Sequence, residues 1–374
     1  MHVITDLDVG GAEIMLARLL GAADRRRFRM SVASLMAPGA IAAELLAQGI
    51  EVHSLGLSRG RIDPRGIWRL VRLLRTTRVD VLQSWLYHAD LLGLIAARLA
   101  GVRALAWNLR CSDMELARYS RLSVMVVKLL ARLSRVPQLV IANSVAGQAV
   151  HQRLGYRPRR WEVVPNGIDT LRFRPDLEAR HALRASLGIS PEAFVVCLPA
   201  RFDPIKDHAT FLAAAARFGV NHRDARFVLA GKGNDAENPR LRDLLAGSVS
   251  ADQVLLLGVR SDMPALLAGA DVVALSSAFG EGFPNVVAEG MACGVPVVST
   301  DVGDAAEIIG DTGLVVRRRD PDAMAAAWQQ LCDLGPAARR EMGDRARERI
   351  CKRYALAPVV ARYEALYEEL ACAT

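Results

Sequence analysis

The sequence predicts an α/β protein with two doubly wound domains, each built on its own parallel sheet. Three observations support this fold class. Short apolar runs alternate with longer segments of 3.6-residue periodicity along the chain, which is typical of parallel strands joined by right-handed helical crossovers. The alternation breaks near residues 166–190 and then restarts. The length of 374 residues is sufficient for two domains, each with its own core.

The elements follow in order from these patterns. The first series of predicted strands is 2–5, 29–35, 51–54, 80–85, 103–109, 138–142 and 161–164, with helical segments such as 12–22, 64–77, 88–100 and 114–135 between them. After Pro175 the predicted strands are 193–199, 225–230, 253–257, 271–275 and 295–299. The turn signal Pro165-Asn166-Gly167 and the polar stretch Arg172–Arg184 separate the two series.

The predicted domains are therefore residues 1–168 and 175–354. An amphipathic helix over about 355–371, within the C-terminal stretch 355–374, is expected to pack back on the first domain. The two domains are expected to face each other across a cleft.

Composition narrows the class of protein. Apolar residues make up 52% of the chain and charged residues 24%, which is typical of an ordered globular protein. We find no signal peptide and no uncharged apolar run of about 18 residues, so a transmembrane helix is not expected. The six cysteines are scattered without a CxxC pair, which favours reduced thiols in the cytoplasm and predicts no zinc site.

Positive charge is concentrated in the first half of the chain. Residues 1–168 contain 24 Lys and Arg against 12 Asp and Glu, a net charge of +12, whereas the rest of the chain has a net charge of −4. An anionic partner for the first half would explain this asymmetry; an arginine-rich but ordinary surface is the alternative. Nucleic acid is not expected, because the few aromatic residues do not interleave with the basic ones.

The loop after strand 271–275 carries the strongest site signal. It contains Glu281 and then Pro284 and Asn285, which are typical of a helix entry, while Gly294 marks the exit. A helix amino terminus at this point would favour a diphosphate. Glu281 before the helix and Glu289 inside it could both bind sugar hydroxyls through charge-assisted hydrogen bonds. Two glutamates at this spacing would by themselves indicate only a helix surface.

Two further loops carry candidate residues. Arg201 and Lys206 follow strand 193–199 and could clamp a diphosphate, although alone they could be solvated loop cations. Gly10 and Gly11 link the first strand to the first helix and allow a ligand to approach the backbone. Neither a GxGxxG motif nor a P-loop is present. Asp6-x-Asp8 looks like a metal motif, but we interpret it as a fortuitous pair.

Five motifs then occur in order: Gly10-Gly11-Ala12-Glu13, Ala142-Asn143-Ser144, Val164-Pro165-Asn166-Gly167-Ile168-Asp169, Arg201 with Lys206, and Glu281-Gly282-Phe283-Pro284-Asn285 through Glu289-Gly290-Met291. Together they resemble the retaining GT-B glycosyltransferases of family 4, which include bacterial polysaccharide and lipid glycosyltransferases. The resemblance covers nearly the whole chain and is most specific in the last motif. It implies a GT-B fold with two Rossmann-like domains.

The resemblance also implies site roles. Arg201 and Lys206 would hold the donor diphosphate, Glu281 the hydroxyls of the transferred sugar, and Glu289 the ribose of the nucleotide. Donor-supporting backbone would come from the run Gly282-Phe283-Pro284-Asn285-Val286, and Gly11 would lie under the phosphate and acceptor. His88, after strand 80–85, is the expected catalytic histidine of the first domain, although a structural helix-capping role is the alternative. Neither a metal nor another cofactor is expected, because cations and helix amino termini stabilise the departing diphosphate.

The implied reaction is the retaining transfer of a hexose or amino sugar from a nucleoside-diphosphate sugar, with UDP expected, to a glycan or lipid-linked acceptor. Such transfer would serve cell-surface polysaccharide or glycolipid synthesis. Two alternatives remain open. A sugar-nucleotide 2-epimerase would share the fold but would need further carboxylates and histidines. A non-catalytic nucleotide-sugar-binding regulatory subunit would lack a working first-domain loop.

A basic helix is predicted over residues 116–135. Arg118, Arg121, Lys128, Arg132 and Arg135 share one face there, with Leu122, Val126, Val127, Leu129 and Leu133 largely elsewhere. Such a helix is typical of binding to an anionic membrane surface, although a solvated face above an ordinary core is the alternative. We therefore expect a cytoplasmic protein with peripheral attachment to the inner membrane face.

Overall fold

A computed structural model of the protein describes residues 1–58, 63–112, 120–246 and 250–373. The chain divides into two compact units, one comprising Met1–Gly167 with Leu356–Thr374 and the other Ile168–Ala355. Each unit contains a parallel sheet with separate apolar clusters on its two faces. The predicted class of two doubly wound α/β domains is confirmed.

The first unit is built on one parallel sheet. Its strands are β1 (His2–Ile4), β2 (Ser31–Ser34), β3 (Glu51–Ser54), β4 (Val81–Trp85), β5 (Ala104–Leu109), β6 (Leu139–Ala142) and β7 (Trp161–Val163). Among the described residues they pair in the order β3-β2-β1-β4-β5-β6-β7. The direction of winding reverses between β1 and β4. In doubly wound sheets the loops that follow such a pair of strands diverge and form the ligand crevice.

Helices connect these strands as the periodicity predicts. They are α1 (Gly11–Ala22), α2 (Ala40–Ala47), α3 (Pro64–Thr76), α4 (Tyr87–Ala100), α5 (Arg121–Leu133) and α6 (Val145–Arg153). Side-chain oxygens cap three of the amino termini: Asp63 accepts from the Arg65 amide, Ser120 from Ser123 and Ser144 from Gly147. Such caps satisfy amide groups that have no partner inside the helix.

The exposed face of α5 is less purely basic than the sequence predicts. Arg121, Lys128 and Arg132 are exposed, as expected, and Val126 and Val127 are buried. Leu129, expected away from the cations, is 39% exposed beside them, and Met125 is 60% exposed. Residues four apart share a helix face, so Arg121, Met125 and Leu129 follow one stripe. Arg118 lies outside the described residues.

The second unit repeats the architecture. Its strands are β8 (Val195–Pro199), β9 (Arg226–Ala230), β10 (Val254–Leu256), β11 (Val272–Leu275), β12 (Val297–Thr300) and β13 (Leu314–Val316). Its helices are α7 (Leu177–Ser186), α8 (His208–Gly219), α9 (Pro239–Ala246), α10 (Met263–Gly269), α11 (Asn285–Ala292), α12 (Ala305–Ile309), α13 (Pro321–Asp333) and α14 (Gly335–Arg353). The described strands pair in the order β10-β9-β8-β11-β12-β13. Here the winding reverses between β8 and β11.

Two elements of this unit were not predicted. β13 has three residues and is followed at once by Arg317-Arg318-Arg319, so its apolar run is too short to show a period. α7 lies inside the predicted break. The sequence places its arginines in a polar stretch between the predicted domains. In the structure, Arg180 and Arg184 donate to the carboxylate of Asp271 at 2.8 and 2.7 Å. A buried carboxylate can thus hold a charged helix in the core.

The C-terminal helix α15 (Leu356–Cys372) returns to the first unit. It buries Val359, Val360, Tyr363, Leu366 and Leu370 in the apolar cluster that also contains residues of α1 and β1. The Asn108 side-chain amide donates to the Tyr363 hydroxyl at 3.0 Å. The expected packing of this helix on the first domain is confirmed.

No helix among the described residues has both the length and the apolar character needed to cross a membrane.

We expect the packing of α15 to be a large part of the stability of the first unit. Leu366 is fully buried, and Leu366→Ala should lower the free energy of unfolding by about 2–5 kcal/mol, because it removes apolar contacts and leaves a cavity. Glu368 lies on the exposed side of the helix, where its carboxylate pairs with Arg27 at 2.6 Å. Glu368→Ala should cost less than about 1 kcal/mol. Urea unfolding of both variants checks this, and equal losses would contradict it.

Candidate functional site

Two buried serines of the loop after β11 hold residues of the candidate site in place. The Ser276 hydroxyl donates to the carbonyl of Lys206 at 2.7 Å. The Ser277 hydroxyl donates to Oε1 of Glu281 at 2.7 Å. Both serines directly follow β11, at the carboxyl edge of the sheet, where ligands bind in open α/β sheets. Ser276 therefore joins the two loops that flank the switch point, whereas Ser277 fixes Glu281 within its own loop.

Lys206 and Glu281 form an ion pair in this position. Lys206 Nζ lies 2.5 Å from Glu281 Oε1, and the two side chains are only 18% and 12% exposed. Burial opposes ionisation of Glu281, yet its pKa is held below the usual value because Lys206, Ser277 and the positive charge of Arg201 favour the carboxylate. The structure thus brings Glu281, Lys206 and Arg201 together, as predicted from their separate motifs.

Glycine backbones allow this loop to pack tightly. Gly280 has φ +79° and precedes Glu281 directly. A Cβ at Gly280 would lie 3.4 Å from the side chain of Ile205, and a Cβ at Gly303 would lie 2.3 Å from the carbonyl oxygen of Gly282. The Asp304 amide donates to that same carbonyl at 2.9 Å. At Gly280 the positive φ favours glycine, and at Gly303 a larger residue would collide with the backbone of Glu281 and Gly282.

The motif Phe283-Pro284-Asn285 forms the start of α11, as predicted. Phe283 is buried and packs edge-on against Tyr354, with ring centroids 5.4 Å apart. Pro284 is the N-cap and α11 begins at Asn285, so the amino terminus of the helix, including the Val286 amide, carries the positive end of the helix dipole. Glu289 is 9% exposed and lies roughly 6 Å further along the helix axis.

Arg201 and Lys206 occupy the two ends of the loop after β8. Arg201 is the more exposed, with 48% of its side chain accessible, and its Nε lies 3.2 Å from Asp203 Oδ2. Asp203 also accepts from the amide of Ile205 at 2.9 Å, which fixes the turn. Asp207, directly after Lys206, has φ +47° and caps α8 by accepting from the amide of Thr210.

A third loop, after β9, lies beside these two and was missed in the sequence. The amide of Phe202 donates to the carbonyl of Lys232 at 2.8 Å. The side-chain amide of Asn234 donates to the carbonyl of Ala200 at 2.5 Å. Gly231 has φ +134°, and a Cβ there would lie 2.5 Å from the same Ala200 oxygen. The signal that could have found this loop is the run Gly231-Lys232-Gly233 directly after a buried strand.

In the first unit, Gly11 and His88 lie on the loops that flank the other switch point. Gly11 is exposed at the start of α1, after β1, and His88 is exposed in the first turn of α4, after β4. β1 and β4 are paired neighbours. A Cβ at Gly10 would lie 2.3 Å from a carboxylate oxygen of the buried Glu13, so a larger residue there would require the Glu13 side chain to move.

The backbone before His88 is strained. Leu86 has φ +73° and ψ +154°, a region that is essentially reserved for glycine. Its amide donates to the carbonyl of Asn108 at 3.4 Å. Strain of this kind is concentrated at functional loops, where the surrounding structure maintains it. It therefore favours an active role for the loop that carries His88 over a purely structural one.

Arg110 is a residue of this edge that sequence reasoning missed. It follows β5 and is buried, with its guanidinium 4.9 Å from the centroid of the Trp85 ring. One Nη donates to the side-chain oxygen of Asn166 at 2.6 Å. Burial lowers the pKa of Arg110, while the nearby Tyr363 and Glu13 oppose that shift. An isolated arginine after a strand carries no motif that could have revealed it.

The acidic pair of the first loop has a local structural role. Asp6 Oδ1 accepts a hydrogen bond from the amide of Asp8 at 3.3 Å, which is the geometry of a turn stabilised by an aspartate side chain. In the part of the chain that the structure describes, no group of three or more metal-ligating side chains is found.

The state of Glu281 predicts a pH dependence of stability. Its pKa is lower in the folded than in the unfolded protein, so the unfolded state binds more protons in acid. The resulting stabilisation is complete above the ordinary pKa of 4.5 and is lost as the pH falls through the lower folded value. The free energy of unfolding should therefore fall more steeply below pH 4.5 in the wild type than in Glu281→Gln. Parallel curves in urea titrations at several pH values would contradict the assignment.

Comparison with known proteins identifies the family of this chain. The sequence profile described as Glycosyltransferase Family 4 matches residues 9–172, and the one described as Glycosyl transferases group 1 matches residues 193–333. The chain is 25% identical to the UDP-Gal:alpha-D-GlcNAc-diphosphoundecaprenol alpha-1,3-galactosyltransferase of Escherichia coli, over 72% of this chain and 71% of that enzyme. It is 33% identical to the D-inositol 3-phosphate glycosyltransferase of Geodermatophilus obscurus, over 65% of this chain and 55% of that protein.

Solved structures share the whole architecture. The crystal structure of Anabaena HepE in complex with UDP and glucose superposes with a TM-score of 0.85 at 25% identity, covering 99% of this chain and 100% of that one. The GT-B fold that the motifs implied is thereby confirmed. The two family profiles match separate, successive stretches that together span most of the chain. The protein belongs to the glycosyltransferases of the family 4 type.

Proposed function

We propose that this glycosyltransferase moves a hexose or amino sugar, with retention of configuration, from a UDP-sugar to a glycan or lipid-linked acceptor. This reaction would contribute to cell-surface polysaccharide or glycolipid synthesis. The observation that carries the proposal is the buried Lys206–Glu281 pair, 2.5 Å apart, at the switch point of the second sheet. It combines a carboxylate for sugar hydroxyls with a cation for phosphate in one place.

The names of the relatives support the donor and acceptor classes. The Escherichia coli relative is named as using UDP-Gal and a diphosphoundecaprenol-linked acceptor. The Anabaena structure contains UDP and glucose. We therefore infer UDP as the nucleotide of the donor and a lipid-linked glycan as the acceptor class.

Arg201 and Lys206 are proposed to hold the donor diphosphate. The Lys206 ammonium has three N–H donors, so it can keep its contact with Glu281 and still donate to a phosphate oxygen. Arg201 is half-exposed, and its planar guanidinium group can donate two parallel hydrogen bonds to a second phosphate. With the amino terminus of α11, these cations stabilise the charge of the departing diphosphate, so that the reaction needs no metal.

Glu281 and Glu289 are proposed to divide the recognition of the donor. Glu281 is ionised, and Ser277 and Lys206 fix its Oε1, so its carboxylate is held where it would accept from the sugar hydroxyls. Glu289, roughly 6 Å further along α11, would accept from the paired hydroxyls of the ribose. Charge-assisted hydrogen bonds of this kind are about twice as strong as neutral ones.

The first unit is proposed to supply the acceptor side of the reaction. His88 and the Gly10-Gly11 turn flank its switch point, where His88 would orient or polarise the reacting groups and Gly11 would admit phosphate or acceptor oxygens. In the retaining step, the bond between the anomeric carbon and the phosphate oxygen breaks and the acceptor oxygen bonds on the same face. The leaving phosphate oxygen accepts the proton of the acceptor hydroxyl.

The donor site is tested with a panel of nucleotide sugars, measuring release of the nucleoside diphosphate with and without acceptor. We expect release with a UDP-sugar. Glu281→Ala should lower kcat/KM by about a hundredfold, because a charged hydrogen-bond partner of the substrate contributes about 1.5–3 kcal/mol. Glu348→Ala, at an exposed carboxylate of the same unit, should have no effect.

Undiminished turnover in Glu281→Ala would overturn the site assignment. Donor-dependent release of UDP without an acceptor product would instead indicate a sugar-nucleotide 2-epimerase, and binding of the donor without turnover would indicate a regulatory subunit.

We also propose that the protein acts on the cytoplasmic face of the membrane and attaches there through α5. Arg121, Lys128 and Arg132 are exposed on this helix together with Met125 and Leu129. Cations attract the helix to anionic headgroups, and exposed apolar side chains can enter the interface between headgroups and acyl chains. This combination supports a membrane surface over a merely solvated face.

The attachment is tested by co-sedimentation with anionic lipid vesicles. Lys128→Gln combined with Arg132→Gln should weaken binding by about thirtyfold, since each cation contributes about 1 kcal/mol near such a surface. Arg240→Gln combined with Arg242→Gln, at two exposed arginines of the second unit, serves as the charge-matched control. An equal loss in the control would show that only net charge matters and would contradict a role for α5.

A further inference from the structure

The first unit contains an open pocket of about 860 Å³ between the end of α5 and the start of β7. Three arginines line it: Arg135, Arg157 and Arg159. Gln152 and Trp161 contribute a polar and an aromatic wall. Among the described residues that line it there is no carboxylate, so its charge is unbalanced.

The arginines of the pocket differ sharply from the arginine beside them. Arg160 is paired with both Glu162 and Glu369 at 2.6 Å. Arg135 and Arg159 are exposed and have no ion pair or side-chain hydrogen bond within the described parts of the chain. Their positive charge is therefore available to a ligand. Converging guanidinium groups without a counter-charge repel one another, so an anion between them lowers their energy.

Arg157 is already fixed in orientation. Its Nη1 donates to the carbonyls of Gln152 and Tyr156 at 2.6 and 2.8 Å. The amide of Arg157 also donates to the hydroxyl of the buried Ser134 at 2.8 Å. A guanidinium held this way presents its remaining N–H groups at low entropic cost.

The pocket lies away from the substrate edge of the sheet. Arg135 precedes β6, and Arg157 and Arg159 precede β7, so the pocket is at the amino ends of these parallel strands. Gly11 and His88 lie at the carboxyl ends of β1 and β4. A ligand in the pocket can therefore remain bound while the transfer reaction proceeds at the opposite edge.

We propose that this arginine pocket binds the phosphate group of an anionic membrane lipid. Guanidinium forks match the oxygens of phosphate, and phosphate can accept from several forks at once, which a single carboxylate cannot do as well. A lipid is favoured over a soluble phosphate by continuity with α5. Arg135 follows the end of that helix, and Met125 and Leu129 expose apolar surface on it.

This inference rests on the proposed membrane attachment and adds a specific headgroup to it. General attraction through α5 responds only to the charge density of the surface. A built phosphate pocket also distinguishes a phosphate lipid from a carboxylate lipid of equal charge.

The experiment compares two kinds of phosphatidylcholine vesicle that carry the same surface charge. One contains phosphatidylglycerol and the other a carboxylate-bearing lipid. The wild type should bind the phosphatidylglycerol vesicles about tenfold more tightly, since charge-assisted hydrogen bonds to phosphate add to the general attraction. Arg135→Gln combined with Arg159→Gln should abolish this preference. Arg132→Gln, on α5 outside the pocket, should weaken both kinds of binding by about fivefold and keep the preference.

Three outcomes would overturn the proposal: no preference in the wild type, a preference retained in the double variant, or a preference equally lost in Arg132→Gln. Binding of inorganic phosphate to the wild type but not to the double variant, without a vesicle preference, would assign the pocket to a soluble phosphate and overturn its assignment to a lipid. Arg135 and Arg159 are exposed and unpaired within the described residues, so the double variant should fold normally; a circular dichroism spectrum and the unfolding midpoint check this.

Nucleoside-diphosphate release, measured in the same preparations without vesicles, separates this proposal from the proposed reaction. Release should be unchanged in the double variant. If neither the wild type nor the variants release a nucleoside diphosphate, the proposed reaction is wrong, while a headgroup preference would still support the pocket. Absence of the preference in the wild type, with normal release, would contradict only the pocket.

Discussion

Every strand of the two described sheets is parallel to its neighbours, and a parallel pair cannot be closed by a tight turn. Each connection must therefore cross the sheet, and the loops after all strands of a sheet emerge at one edge. Where the winding reverses, at β1 and β4 and again at β8 and β11, adjacent loops diverge. The candidate residues of each unit lie on those loops. The placement of His88, Arg201, Lys206 and Glu281 is thus a consequence of strand order.

Unusual backbone conformations accompany each of these loops. Leu86 lies two residues before His88, Asp207 follows Lys206, and Gly280 precedes Glu281, all with positive φ. Such conformations cost free energy unless glycine relieves them, and they persist where surrounding contacts hold them in place. In the second unit those contacts are the hydrogen bonds of Ser276 and Ser277. The switch-point loops are therefore held in one geometry before any ligand arrives, which lowers the entropic cost of binding.

The charged groups of the two units differ in how they are paired. In the second unit the carboxylate of Glu281 is kept ionised by Lys206, Ser277 and the charge of Arg201, so that an acidic and a basic group lie side by side at the switch point. In the first unit, unbalanced arginines line a pocket at the opposite edge of the sheet from the substrate loops. Buried charges need partners because desolvation is costly, whereas exposed arginines without partners are free to recognise an anion.

The sequence by itself determined the architecture and the main motif of the candidate site. The periodicities of strands and helices are local signals, and Glu281, Glu289, Arg201 and Lys206 occur in short motifs with turn and cap residues around them. What only the tertiary structure decided depends on residues distant in the chain. Contacts between separate elements decide the pairing of Lys206 with Glu281, of Ser276 with the Lys206 carbonyl and of Arg110 with Asn166. They also decide the position of the loop Gly231–Asn234 beside Arg201, the ion pairs that make α7 part of the core, and the exposure of Leu129. The spacing of apolar residues along the sequence does not encode such contacts, because they exist only once the strands have paired and the helices have packed on them.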